Sequence, residues 1–356
     1  MFNPESHLHP PAQRALSMVV HQRRWLERHF ATIVTDRLHP HPTTRHRAAA
    51  LHIAVSQPSA GSPLDMAPDG THATTIRSVD FTTLLERRMG LDLSLTADAC
   101  DRLEAAGEPV DRKGDHQANT GEFNRRHNHG LRALHDMVAA VALGPLVLGD
   151  KEQPWKTAEY NSTHISDLIE VGGDLETGGN VQYEVKVPSP LTASFSAGRG
   201  SPSHGGRYAS VGHIYAFGNT LERYRTMILG CPARGVPGDG PFDHTTGQGW
   251  VAAQAGDYAD ALQKRDTVVP WIMENTGGIS PVPCSVARRL GRRASAKSAI
   301  DRTKYGRSRV STKSFYTHHT QRISAAVVRY DAQNIREQSA QPIRRALLLD
   351  ADAGAA

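Results

Sequence analysis

Cysteine, aromatic side chains and long apolar runs are all scarce in this sequence. Three cysteines, Cys100, Cys231 and Cys284, stand 131 and 53 residues apart in a chain of 356, with no C-x-x-C pair. An odd, scattered set of this kind excludes a disulfide scaffold and fits a reducing compartment. The most apolar stretch, Met137 to Leu148, is broken by Gly144 and Pro145 and falls short of the ~18 residues a membrane span needs. The first twenty residues hold Glu5, His7, His9 and three prolines and lack an apolar centre, so no secretory leader is expected there. These absences point to an intracellular protein with no membrane partner. Spacings that announce common chemistries are missing as well: there is no G-x-x-x-x-G-K-[ST], no H-E-x-x-H, no G-x-S-x-G and no EF-hand loop. GGDLETGG and SAGRGSPSHGG are rich in glycine but lack the strand-to-helix setting of a phosphate loop, and read as turns. No internal repeat of fixed period is present.

What is there begins with enough length, and 38% hydrophobic residues, to bury a full core. Glycine and proline make up about 15% of the chain against a usual ~12%, which indicates long connections between elements. The formal charge of +5 conceals an asymmetry. Residues 286–345 carry fifteen Lys/Arg against Asp301, Asp331 and Glu337, a local balance of +12, and residues 1–285 are correspondingly acidic at about −5. A basic segment beside a mildly acidic body is the electrostatic footprint of a nucleic-acid binder, with a solvated helix face as the plainer reading.

Periodicity organises the chain into segments. Apolar residues at Leu16, Val19, Val20, Leu26 and Phe30 predict an amphipathic helix over 11–38, and a short helix over 44–55 then runs into a Ser/Pro/Gly-rich linker. Asp80 is expected to cap a helix running to Arg88, with Phe81, Leu84 and Leu85 on one face and Gly90 as its stop. Another helix is expected over 97–106. In RRHNHGLRALHDMVAAVAL, the stripe Leu131, Leu134, Met137, Val138 and Val141 predicts a core-facing helix. Three strand-like runs follow, at 146–150, 164–171 and 181–187, then a helix near 252–264, a strand in TVVPWIM and a helix near 286–293. The expected division is a helical arm and linker at 1–76, a helical lead-in at 77–120, a core at 121–293 and a basic, partly helical tail at 294–356.

Chemistry concentrates on two of the strands. In VQYEVKV the side chains alternate, so Gln182, Glu184 and Lys186 share one face and Val181, Tyr183, Val185 and Val187 the other. One strand earlier, Asp167 lies inside the apolar run HISDLIEV, where a lone carboxylate is costly unless it is paired, hydrated or bound to a cation. Neighbouring strands bring Asp167 beside Glu184. Two carboxylates and a lysine make a hard-oxygen site suited to Mg²⁺ or Mn²⁺ and to the hydrolysis of phosphodiesters. Taken alone, this D-x16-E-x-K pattern is as well explained by an exposed Glu/Lys strand face. In the tail, Tyr305, Phe315 and Tyr316 alternate with cations, so rings can stack on unpaired bases while Arg and Lys neutralise phosphates of DNA or RNA. The plainer readings of the tail are a flexible solubilising segment or a nuclear-import signal.

The order helix, three strands, helix, strand, with acids on the second and third strands, resembles the PD-(D/E)xK restriction-endonuclease-like α/β fold. More narrowly, the chain resembles the endonuclease-like region downstream of the reverse transcriptase in non-LTR-type retroelement polyproteins. The shared landmarks are SQPSAGSPLDMAP, FTTLLERRMGLDL, DRKGDH, RRHN, SDLIEV, YEVKVPSPL, YADALQKRD and VVPWIMENTGGISP, spanning about residues 55–290 in the family's order. The resemblance implies that Asp167 and Glu184 bind the metal and that Lys186 is the ExK lysine. Lys264 matches a second basic position, on the following helix, that some members use instead. Glu122, just ahead of the core helix, is a further candidate metal ligand, and has an equally good structural reading as an acid at a helix N-terminus.

Two departures from the family stand out. The family usually has Arg-Pro at or near the position before the strand-two acid, where this chain reads His164-Ile165-Ser166. Relatives also place cysteines before and after GDH, completing a zinc knuckle with histidines from GDH and RHN. Here only Cys100, His116 and His127 remain, with Asn119 near the place of a further cysteine, and three scattered ligands make a poor structural zinc site. Zinc is therefore not expected, and His116 and His127 read equally as members of a polar cluster at the start of the core helix. The function implied is a metal-dependent DNA endonuclease. Its alternatives are a catalytically inactive remnant that only binds nucleic acid, and an interaction protein using its N-terminal helix.

Overall fold

A computed structural model describes residues 51, 59–61, 76–107, 111–114, 117–118, 123–149, 166–189, 224–233, 235–240, 249–297 and 314–355. The helix expected over 11–38 and most of the linker lie outside these residues, as do Glu122, His116, Asn119 and Tyr305.

The described chain is mixed α/β: a small sheet with helices packed against it. Helices α1 (Ser78–Arg88) and α2 (Ala97–Ala105) lead to α3 (Phe123–Ala139), then strands β1 (Leu146–Leu148), β2 (Leu168–Glu170) and β3 (Val181–Lys186). A short ladder, β4 (Gly230–Cys231) with β5 (Gln254–Ala255), precedes α4 (Ala259–Gln263) and β6 (Thr267–Ile272). Helices α5 (Pro281–Lys297), α6 (Phe315–Gln338) and α7 (Ala340–Ala355) complete it. The main sheet has the order β1-β2-β3-β6, antiparallel up to β3 and parallel between β3 and β6. Among the described residues β6 is an edge of the sheet, where Pro270, a residue without an N–H, is tolerated.

One face of the sheet carries the core. The predicted stripe of α3 is fully realised: Leu131, Leu134, Met137, Val138 and Val141 are all buried, against Leu168, Val181, Tyr183, Val185, Val269 and Trp271. Helices α5 and α6 close this side through Ala287, Leu290, Phe315, Ile323 and Val327. On the opposite face a smaller cluster of Ile228, Tyr258, Ala261 and Val268 holds the short helix α4 over β3 and β6.

Several expectations are corrected. Asp80 does not cap its helix; it sits in the first turn of α1, where it accepts from Arg77 Nε (2.7 Å) and Arg336 Nε (3.1 Å). Phe81 is exposed while Leu84 is buried, so the buried face of α1 is rotated from the one expected. The helix expected near 252–264 is confined to Ala259–Gln263, because Gln254–Ala255 pairs with Gly230–Cys231. Most consequentially, Phe315–Gln338 is no appendage. Ser314 caps α6 by accepting from the Thr317 N–H (3.1 Å), and Phe315 is buried, so that ring is not available to stack on a base.

Candidate functional site

The site is built where β2 and β3 begin to part. The antiparallel register pairs Leu168 with Tyr183 and Ile169 with Gln182. Carried one position further, it sets Asp167 opposite Glu184, and directly opposed residues have Cβ atoms only ~4.5–5.5 Å apart. Asp167 lies at a bend just outside β2 rather than within it. Gly149 makes that bend possible: its N–H donates to Asp167 O (2.7 Å), and a Cβ at this position would stand 2.3 Å from the Ser166 carbonyl oxygen. Ser166 holds the bend by a hydrogen bond from its hydroxyl to Gln182 Oε1. The carboxylate itself is fixed, with the Val185 N–H donating to Asp167 Oδ2 (2.7 Å).

The polar face read for β3 is real but not solvated. Gln182 is buried between Ser166 and Asp266, accepting from the first and donating to Asp266 Oδ2 (2.7 Å). Glu184 is 3% exposed, and its Oε1 accepts from Lys186 Nζ. Its Oε2 accepts from the Tyr258 hydroxyl. The side chains of Lys186 and Asp167 reach the surface, at 28% and 19% exposure, so the cluster opens at the carboxyl end of β3.

Electrostatics mark the pair as under-compensated. Burial raises the Glu184 carboxyl above its ordinary range, the neighbouring Asp167 charge pushes it further, and Lys186 and Tyr258 pull back without cancelling. Burial is the largest single influence on the Lys186 ammonium and works against it, but the Glu184 charge, the hydrogen bond to Glu184 and the Asp167 charge together hold the lysine pKa above its usual value. Tyr258 is pushed far up by burial and by Glu184, so its hydroxyl stays protonated and acts as donor.

Two contributors lie outside the triad read from the sequence: Tyr258, given no role there, and His127, read only as a scattered zinc-ligand candidate or a member of a polar cluster at the start of the core helix. His127 Nε2 lies 3.1 Å from Asp167 Oδ2, and its Nδ1 lies 3.2 Å from Asn128 Oδ1. Burial disfavours its charge, yet the bond to Asp167 and that carboxylate's charge prevail and raise its pKa. The signal was available: His127 precedes Leu131 and Leu134 by four and seven residues, so the core stripe extended one turn back points it at the sheet's end. Tyr258 had a similar signal, sharing a face with Ala261 at i, i+3. Lys264, the expected alternative lysine, stands at the C-cap of α4 and is exposed. The structure thus brings together Asp167, Glu184 and Lys186.

Two carboxylates suit an ion that keeps most of its waters and completes its shell with phosphate oxygens, as Mg²⁺ does. Asp167 Oδ1 is the carboxylate oxygen held by no described residue. Among the described residues, no group of three or more His, Cys, Asp or Glu is arranged as a dedicated metal cage. Cys100 is buried in α2, where burial pushes its thiol up. No helix among the described residues is long and apolar enough to cross a membrane. Comparison of the chain with protein-family models, curated proteins and solved structures gives no match.

Proposed function

We propose that the chain is a retroelement-derived endonuclease of the PD-(D/E)xK type that hydrolyses DNA phosphodiester bonds with Mg²⁺ or Mn²⁺. The observation that carries this reading is the register that faces Asp167 with Glu184, beside Lys186, at an open strand end. The element order supports it: α3, three antiparallel strands, α4, and β6 parallel to β3 is the order the sequence resemblance implies. Asp167 and Glu184 would hold the divalent ion, which would lower the pKa of a bound water and offset charge developing on the phosphoryl oxygens. Lys186, partly exposed, offsets charge on the phosphate or orients the attacking water, and Tyr258 keeps Glu184 in place. Binding to the duplex falls to the outward face of α5, where Arg288, Arg289 and Arg292 are exposed, and to the basic residues that follow it in sequence. Such contacts read backbone rather than sequence, and RNA is a second candidate ligand for them. Under this reading the protein works inside the cell, the basic run doubling as a nuclear-import signal.

A second reading, an inactive remnant that only binds nucleic acid, is favoured by the fact that both Glu184 oxygens already have protein partners. Cleavage of supercoiled plasmid and of single-stranded oligonucleotides with Mg²⁺ or Mn²⁺ separates the two. The nuclease reading expects metal-dependent cleavage that Asp167→Ala, Glu184→Gln and Lys186→Ala each abolish. The remnant expects salt-sensitive DNA affinity with no metal dependence and no cleavage.

A further inference from the structure

We propose that His127 and Tyr258 form a clamp that holds the two carboxylates in the orientation that accepts a cation, a role that deepens the nuclease reading and rests on it. Each acid is gripped on one oxygen from outside the β2–β3 pair. His127 of α3 meets Asp167 Oδ2, the same oxygen that takes the Val185 N–H, so two donors from different elements fix the carboxylate plane and turn Oδ1 away from them. Tyr258, leading into α4, grips Glu184 Oε2. Lys186, on Oε1, is the partly exposed partner of Glu184, whereas Tyr258 is buried.

Both clamp residues are themselves located by packing. Tyr258 is 3% exposed among Ile228, Ala261 and Val268, which sets where its hydroxyl stands. His127 rides on a helix whose next turns enter the core at Leu131 and Leu134. Its neighbour Arg126 donates to Val187 O (3.3 Å), tying the first turns of α3 to the end of β3 a second time. Side chains that orient metal-binding carboxylates in this way are positioning residues, and their loss weakens metal binding without removing a ligand.

The test is a Mn²⁺ titration of the full chain, following loss of the free-ion electron paramagnetic resonance signal, for the parent and for His127→Ala, His127→Gln, Tyr258→Phe and Asp167→Ala. His127→Ala and Tyr258→Phe are expected to weaken Mn²⁺ binding about 10- to 100-fold. His127→Gln, which keeps an N–H donor at a similar reach, is expected to recover most of the loss. Melting temperatures identify any variant that fails to fold, and the near-isosteric Tyr258→Phe carries the test if His127→Ala is one. Parent-like affinity in both His127→Ala and Tyr258→Phe, with binding lost in Asp167→Ala, overturns the clamp and leaves the metal site standing. A parent that binds no Mn²⁺ contradicts the nuclease reading itself, and the clamp goes with it.

Discussion

Asp331 on α6 and the Asp167–Glu184 pair beside β3 are all acids largely withdrawn from water, and the chain matches them differently. Asp331 takes Arg126 Nη1 (2.6 Å), Arg87 and the Asn275 amide (3.0 Å), so its charge is answered by two guanidinium groups from α3 and α1. A cavity of about 20 Å³ beside it, lined in part by Arg87, Asn275 and Asp331, has room for one water and little else. At the strand site two carboxylates share one ammonium and one imidazole, and the Glu184 carboxyl is raised. The first cluster closes helices together. The second is left with a raised carboxyl at an opening, which under the proposed nuclease reading is where a cation and a phosphate would enter.

Breaking each cluster therefore has opposite consequences. Asp331→Ala leaves Arg87 and Arg126 buried without their carboxylate and is expected to cost about 3–5 kcal/mol in denaturant unfolding. Glu184→Gln is expected to leave the midpoint unchanged or raise it, because it removes an ionisable group that burial opposes, while abolishing Mn²⁺ binding. Loss of stability at Glu184 as large as that at Asp331 would erase the distinction.

A third buried acid sharpens the contrast. Glu274, in the turn before α5, is 2% exposed and among the described residues has only the Thr276 hydroxyl (3.2 Å) as side-chain partner, and burial pushes its pKa up to about 8. It is protonated when folded and ionised when unfolded above its ordinary pKa of 4.5. Its contribution is thus fully present below pH 4.5, and falls as pH rises to about 8, by up to ~1.4 kcal/mol per pH unit. Glu274→Gln is expected to flatten this slope and to add on the order of 2 kcal/mol at pH 7, read from unfolding curves across that range.

Smaller effects test how Asp167 is presented. Gly149→Val forces a side chain against the Ser166 carbonyl and is expected to cost about 1–3 kcal/mol while weakening Mn²⁺ binding, since the displaced segment carries Asp167. Smallest of all, Lys264→Ala is expected to change stability by less than ~0.5 kcal/mol and to leave Mn²⁺ binding at the parent level.

What the sequence made legible follows from where the signal is local. The stripe of α3 and the alternation of β3 are patterns of neighbouring residues, and both appear as read, with Glu184 and Lys186 on one face. The opposition of Asp167 and Glu184 was legible because adjacent antiparallel strands leave few registers that bury Leu168 and Tyr183 together. A partly helical tail was expected over 294–356, but the packing of α6 into the core was hidden by its composition: buried His319, Thr320, Gln321 and Ser324 dilute the apolar signal, and the cations preceding it suggested a solvated tail. His127 and Tyr258 were legible as buried-face residues, but their partners lie 40 and 74 positions away and only the tertiary fold reveals them.

The most direct test of the under-compensated pair is anomalous diffraction from crystals of the full chain soaked in Mn²⁺. The account predicts one ordered peak within about 2.0–2.4 Å of a carboxylate oxygen from both Asp167 and Glu184, absent in Glu184→Gln. Well-ordered density for both side chains with no peak between them at saturating Mn²⁺ would contradict it.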